Sequence, residues 1–158
     1  MYIWIIIALA VTVIDQVSKA LIQSNISAAD HITFIPGVMD IVYVENTGAA
    51  FSILNKHTWL LGLISVVFCV VIAAYMIKKK PANILQLCCG GLLLGGALGN
   101  GIDRVLRGYV IDFFEFTFFR FPVFNVADIA ITFGAVLLVI YVLINDKGNK
   151  DEKDNTPV

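Results

Sequence analysis

Charge is scarce in this chain. Asp, Glu, Lys and Arg make up 15% of it, against 59% hydrophobic residues. A soluble domain carries about 25% charged residues, so composition argues against a soluble globule and for an integral membrane protein. No basic excess exists either: the net charge is −1, which leaves no footprint for nucleic acid. Histidine is nearly missing. His31 and His57 lie far apart and no H-E-x-x-H occurs, so nothing suggests a zinc site. The three cysteines, Cys69, Cys88 and Cys89, sit in apolar runs without metal-ligand spacing. They read as small packing residues rather than disulfides or ligands. No G-x-S-x-G is present, and Ser18 and Lys19, adjacent on a helix, point in different directions, against a Ser–Lys dyad. Neither a metal nor a cofactor is expected.

Long apolar runs are plentiful. A spanning helix takes about 20 mostly apolar residues, and segments 2–22, 59–77, 82–102 and 123–144 qualify. The first lacks a basic leader and runs on through Asp15 and Lys19, so it reads as a retained helix rather than a secretion signal. Lys78, Lys79 and Lys80 form a tight basic connection, and the tail carries Lys147, Lys150 and Lys153. The positive-inside rule puts both in the cytoplasm, and with them both termini. Residues 1–145 then form one membrane domain, followed by a polar tail, 146–158, of mixed charge that is expected to be disordered. Loops 23–57 and 103–122 face outward. In the first, "HITFI" and "DIVYVEN" flank "PGVM" and read as two short strands, a small extracytoplasmic sheet between helices 1 and 2 on an otherwise all-α membrane protein. The second holds the Phe-rich "VIDFFEFTFFRF", patterned as an interfacial strand or ribbon.

That topology brings Asp15, Asp103, Asp112 and Asp128 to one membrane face. Ionisable residues at membrane depth are expensive and are functional candidates by default. Asp15 has Lys19 four places on, and Asp103 has Arg104 next to it and Arg107 four places on. Both are open to local pairing. Asp112 and Asp128 have no such cation within a helical turn, apart from Arg107 near Asp112. Two uncompensated carboxylates in one apolar region suggest a pair sharing a proton, the condition for aspartic-protease chemistry. Asp128 has a second reading. Asn125 precedes it by three places at a helix start, the pattern of a capping box, where a negative charge also suits the helix dipole. A cap leaves Asp112 unexplained.

Five stretches in this order resemble the lipoprotein signal peptidases, or signal peptidase II: "DQVSK" (Asp15–Lys19), "ENTGAAFS" (Glu45–Ser52), "GGALGNGIDR" (Gly95–Arg104), "VIDFFEF" (Val110–Phe116) and "FNVADIAIT" (Phe124–Thr132). They cover the chain except its tail. The resemblance implies a four-helix aspartic endopeptidase of the bacterial cytoplasmic membrane, active near the outer face. Four helices with a Gly-rich face are expected to pack as a monomer. Its implied partners are membrane lipids and a prolipoprotein substrate, cut just before a cysteine that already carries diacylglycerol. It implies a catalytic dyad of Asp112 and Asp128. The other motif positions, Asp15, Lys19, Asn46, Gly48, Asn100, Asp103, Arg104 and Asn125, are implied to shape the site or contact substrate. Gly48, followed by Ala49 and Ala50, leaves room for close approach of a peptide or lipid chain. Two other functions are compatible with the composition. A small transporter would use the same carboxylates as an ion relay, but such proteins often show internal repeats and none is found here. A membrane scaffold would need them only as salt bridges and a cap.

Overall fold

The computed structural model describes residues 2–48 and 57–154, with side chains to residue 145. Its elements are α1 (Ile3–Asn25), β1 (Ile32–Ile35), β2 (Met39–Asn46), α2 (Thr58–Lys79), α3 (Ile84–Leu106), β3 (Val110–Phe116) and α4 (Val126–Asp154). All four helices are long and apolar enough to cross a membrane. The protein is thus a four-helix membrane protein with one small sheet.

α3 is the central helix and packs against the other three. Of its spanning window 67% is buried, against 17% for each of the others, whose apolar faces are left for lipid. Its sequence explains the position. Between helices in a bilayer, close backbone approach replaces the hydrophobic effect as the driving force, and small residues permit it. A Cβ at Gly95 would stand 2.7 Å from the Ala8 carbonyl oxygen of α1, and one at Gly96 would stand 2.5 Å from the Ala127 carbonyl oxygen of α4. No side chain fits at either contact. At the end away from the sheet, Trp4, Ala8, Met76, Leu87 and Leu94 close the core.

The sheet is antiparallel in the order β1-β2-β3. The β1–β2 hairpin turns at Pro36-Gly37, where Gly37 takes a φ of 73°, the left-handed conformation that glycine adopts without strain. The two strands expected between α1 and α2 are present, and β3 adds a third from the connection between α3 and α4. Gly108, with a φ of 80°, makes the turn from α3 into it. β3 lies on β2 with Val44 opposite Asp112 and Asn46 opposite Val110.

The tail departs from the expected disorder. α4 stays helical through Asp154. Extending a formed helix needs no new nucleus, and the Lys and Glu of this segment are good helix formers. Residues 155–158, and Ala49 and Ala50 beside Gly48, lie outside the described residues.

Candidate active site

Main-chain pairing brings the two uncompensated carboxylates together. The Phe124 carbonyl accepts from the N–H groups of Phe113 (3.0 Å) and Phe114 (2.8 Å), and the Phe124 N–H donates to the Phe114 carbonyl at 3.1 Å. The start of α4 is thereby fastened to β3. The rings of Phe114 and Phe124 pack at 5.6 Å between centroids, and those of Phe116 and Phe124 at 5.2 Å. The Phe-rich stretch is therefore a clamp, beyond what an interfacial loop requires.

Asn125, next in the chain, touches both carboxylates. Its side-chain Nδ2 donates to Asp112 Oδ1 at 2.6 Å, and its backbone N–H donates to Asp128 Oδ2 at 3.1 Å. In return the Asp128 N–H donates to Asn125 Oδ1 at 3.0 Å. This reciprocal pair is the capping box read in the sequence. Cap and carboxylate pair thus coexist in one residue. Two further amides complete the shell: Asn46 Nδ2 donates to Asp112 Oδ2 at 2.8 Å, and Asn100 Nδ2 donates to Asp128 Oδ1 at 2.7 Å. Each carboxylate oxygen has one N–H donor. Asp112 is 2% exposed. Burial first, and then the nearby charge of Asp128, push its carboxyl up to about 7, because both disfavour the ionised form.

Behind the amides lies a buried ionic cluster. Lys19 Nζ sits 2.9 Å from Asp15 Oδ2 and 2.8 Å from Asp103 Oδ2, with all three side chains fully buried. Arg107 makes the second ion pair to Asp103. The local pairing read for Asp15 and Asp103 is present, and Lys19 joins the two carboxylates across α1 and α3. Lys19 Nζ also donates to Asn100 Oδ1 at 2.9 Å, and Asn125 Nδ2 reaches the same oxygen at 3.0 Å. A lysine has donors only, so it forces the Asn100 oxygen inward and its N–H toward Asp128. Asp15 Oδ1 accepts from the Ala127 N–H at 2.9 Å, satisfying another orphan amide of α4. Gly99 makes this possible, since a Cβ there would lie 2.5 Å from Asp15 Oδ2.

The two carboxylates open into a cavity of about 400 Å³ lined by Asn46, Asn100, Arg104, Asp112, Asp128 and Thr132, with an apolar wall from Phe116, Phe121–Phe124, Ile129 and Phe133. Arg104 does not pair with Asp103. Its Nη1 reaches Ser65 Oγ at 3.4 Å, and its buried Nε has no partner among the described residues. Gly48 donates its N–H to Asn46 Oδ1 at 2.9 Å, a turn that holds the Asn46 amide toward Asp112. Sequence reasoning passed over Gln16, whose Nε2 reaches Gly99 O at 3.1 Å and Asp103 Oδ1 at 3.2 Å. A polar residue inside α1 next to Asp15 was the available signal. Ser65 and Thr132, hydroxyls in apolar helices, left a weaker one. Among the described residues no His/Cys/Asp/Glu group is arranged to hold a metal ion.

Comparison with known proteins finds relatives over most of the chain. The family described as Signal peptidase (SPase) II matches residues 7–144. A lipoprotein signal peptidase of Enterococcus faecalis is 38% identical over 143 residues, 90% of this chain and 89% of that one. One of Lactiplantibacillus plantarum is 37% identical over 150 residues, 95% of this chain and 100% of that one. Two solved structures are similar throughout, both of a bacterial membrane enzyme obtained by the in meso method. One has a TM-score of 0.86 at 34% identity, covering 98% of this chain and 93% of that one. The other has a TM-score of 0.81 at 35% identity, covering 89% and 92%.

Proposed function

This chain belongs to the signal peptidase II family, and from that premise we propose that it is an aspartic endopeptidase acting through Asp112 and Asp128. Its substrates are prolipoproteins in the membrane, cut just before a cysteine carrying diacylglycerol. The carrying observation is that Asn125 holds both carboxylates at once in a buried, amide-lined site that opens into an apolar cavity.

The roles follow from the surroundings. Asp128 sits in the first turn of α4 and accepts the Asn125 N–H, and on this reading it serves as the base. Asp112 has no helix terminus, and burial holds its proton to about 7. Asp128 takes a proton from a water as its oxygen attacks the scissile carbonyl carbon. Asp112 gives its proton to the carbonyl oxygen, forming the tetrahedral intermediate. Collapse breaks the C–N bond, with the Asp128 proton going to the leaving nitrogen and a hydroxyl proton of the intermediate returning to Asp112 as the new carbonyl forms. Asn46 and Asn100 keep the two carboxyl groups oriented throughout. Arg104, which lines the cavity, offers guanidinium donors to the substrate.

The basic Lys78–Lys80 connection supports a topology in which that end of the bundle is cytoplasmic and the sheet and dyad lie at the outer face. A cysteine placed at Lys79 should then react with an impermeant thiol reagent only from the cytoplasmic side; labelling from outside would reverse the topology. The test of the activity is incubation of the protein in bilayers with a diacylglyceryl-modified precursor. Mass spectrometry should find a single cut before the modified cysteine. Unmodified precursor should react far more slowly, because each buried CH₂ contributes about 0.8 kcal/mol of binding. Equal rates on both would refute lipid recognition. A transporter would cleave neither.

A further inference from the structure

A peptide must be extended across the dyad to be cut. A signal segment arriving as a membrane helix therefore unwinds beside the cavity and frees backbone N–H and C=O groups in apolar surroundings. Such groups cost several kcal/mol each unless they find partners. The described residues of the cavity lining have few to give. Asn46 and Asn100 spend their side chains on the dyad, Lys19 and the Gly48 N–H, and the two aspartates are reserved for the reaction. Among the described residues of the lining, Thr132 has a hydroxyl that makes no hydrogen bond.

Thr132 is unusual for its setting. A threonine or serine inside an apolar helix commonly returns its hydroxyl to the carbonyl one turn back. Thr12 does so to Ala8 O at 2.9 Å and Ser65 to Leu61 O at 3.0 Å. Thr132 makes no hydrogen bond among the described residues, neither to the Asp128 carbonyl nor elsewhere. It is exposed and faces the cavity. It also stands one helical turn deeper than Asp128 on the same wall.

Resting on the peptidase reading, we propose that the Thr132 hydroxyl is a substrate-binding group whose oxygen accepts a backbone N–H of the unwound signal peptide. The spacing names the position. Four residues of α-helix advance about 6 Å, and an extended peptide covers that in about two residues at roughly 3.3 Å each. α4 runs from the dyad into the membrane, and the signal peptide lies on that side of the scissile bond. The contact therefore falls on the second or third residue before the cut. Because it engages backbone rather than side chain, it tolerates varied signal sequences.

The experiment compares wild type, Thr132→Val and Thr132→Ser in bilayers with a diacylglyceryl-modified precursor. Valine keeps the shape and suits the apolar wall, so the fold is retained, as an unchanged thermal midpoint will verify. Loss of one hydrogen bond should lower kcat/KM about fivefold to tenfold in Thr132→Val, through KM, and the serine hydroxyl should restore most of it. Precursors with a backbone ester at each of the four residues before the cut locate the contact. The valine penalty should vanish for an ester at the second or third residue and persist for the others. A Thr132→Val rate within twofold of wild type overturns the proposal, as does an equal penalty on every ester. A wild type that cleaves nothing fails the peptidase reading itself, and the proposal falls with it.

Discussion

Asp112 and Asp128 differ in what holds them, and that difference has a measurable sign. The Asp112 carboxyl, with an ordinary value of 3.8, is pushed up to about 7 by burial and by Asp128. An acid that must give a proton is active below its pKa and lost as pH rises through it. The rate should therefore fall above about pH 7, with the upper step belonging to the pair as a unit. A kcat profile flat to pH 9 would contradict Asp112 as the proton donor. The closeness of Asp112 and Asp128 was legible in the sequence, because Asp128 has no cation within a helical turn and Asp112 has only Arg107 near it. Asp128 looked ambiguous only because one residue serves two purposes, cap and carboxylate, and local spacing cannot separate them. Thr132 was illegible as a site, since a lone hydroxyl in an apolar run gains meaning only when its neighbours' hydrogen bonds are known.

At the level of elements, the site is held by a helix that carries little chemistry of its own. α1 contributes Asp15 and Lys19, and through them fixes the start of α4 and the Asn100 amide. The i, i+4 spacing revealed that the two could pair. It did not reveal Asp103 as the second partner, because that contact crosses between helices 84 residues apart in sequence. Lys19→Met would leave Asp15 and Asp103 buried with Arg107 as the remaining cation nearby. Removing one partner of a buried ion pair costs about 3–5 kcal/mol. The variant should show a markedly lower thermal midpoint in detergent, while Lys78→Met, in the basic connection, should not. Equal midpoints would mean that the cluster does not hold the helices. β3 was also only half legible: alternation and phenylalanines marked a strand, yet its partner is β2, from another loop, and pairing across loops leaves no local pattern.

Over the whole molecule, the sequence carries the architecture through length and composition alone, since a bilayer admits few alternatives to closed helices. Four apolar runs became four helices, and the glycines of α3 marked it as the central one. The tail failed the same reasoning, because polarity argues against a packed core and not against the continuation of an existing helix. What unites the molecule is convergence. α1, α3, α4 and the sheet each bring a polar residue to the same end, and those residues meet around two carboxylates. The central claim is that these two perform the hydrolysis. It is tested most directly by incubating Asp112→Asn and Asp128→Asn, each verified as folded in bilayers, with a diacylglyceryl-modified precursor. Each should lose cleavage by at least a thousandfold, on the order of 4 kcal/mol or more of transition-state stabilisation. Cleavage at the wild-type rate by either variant would contradict the dyad.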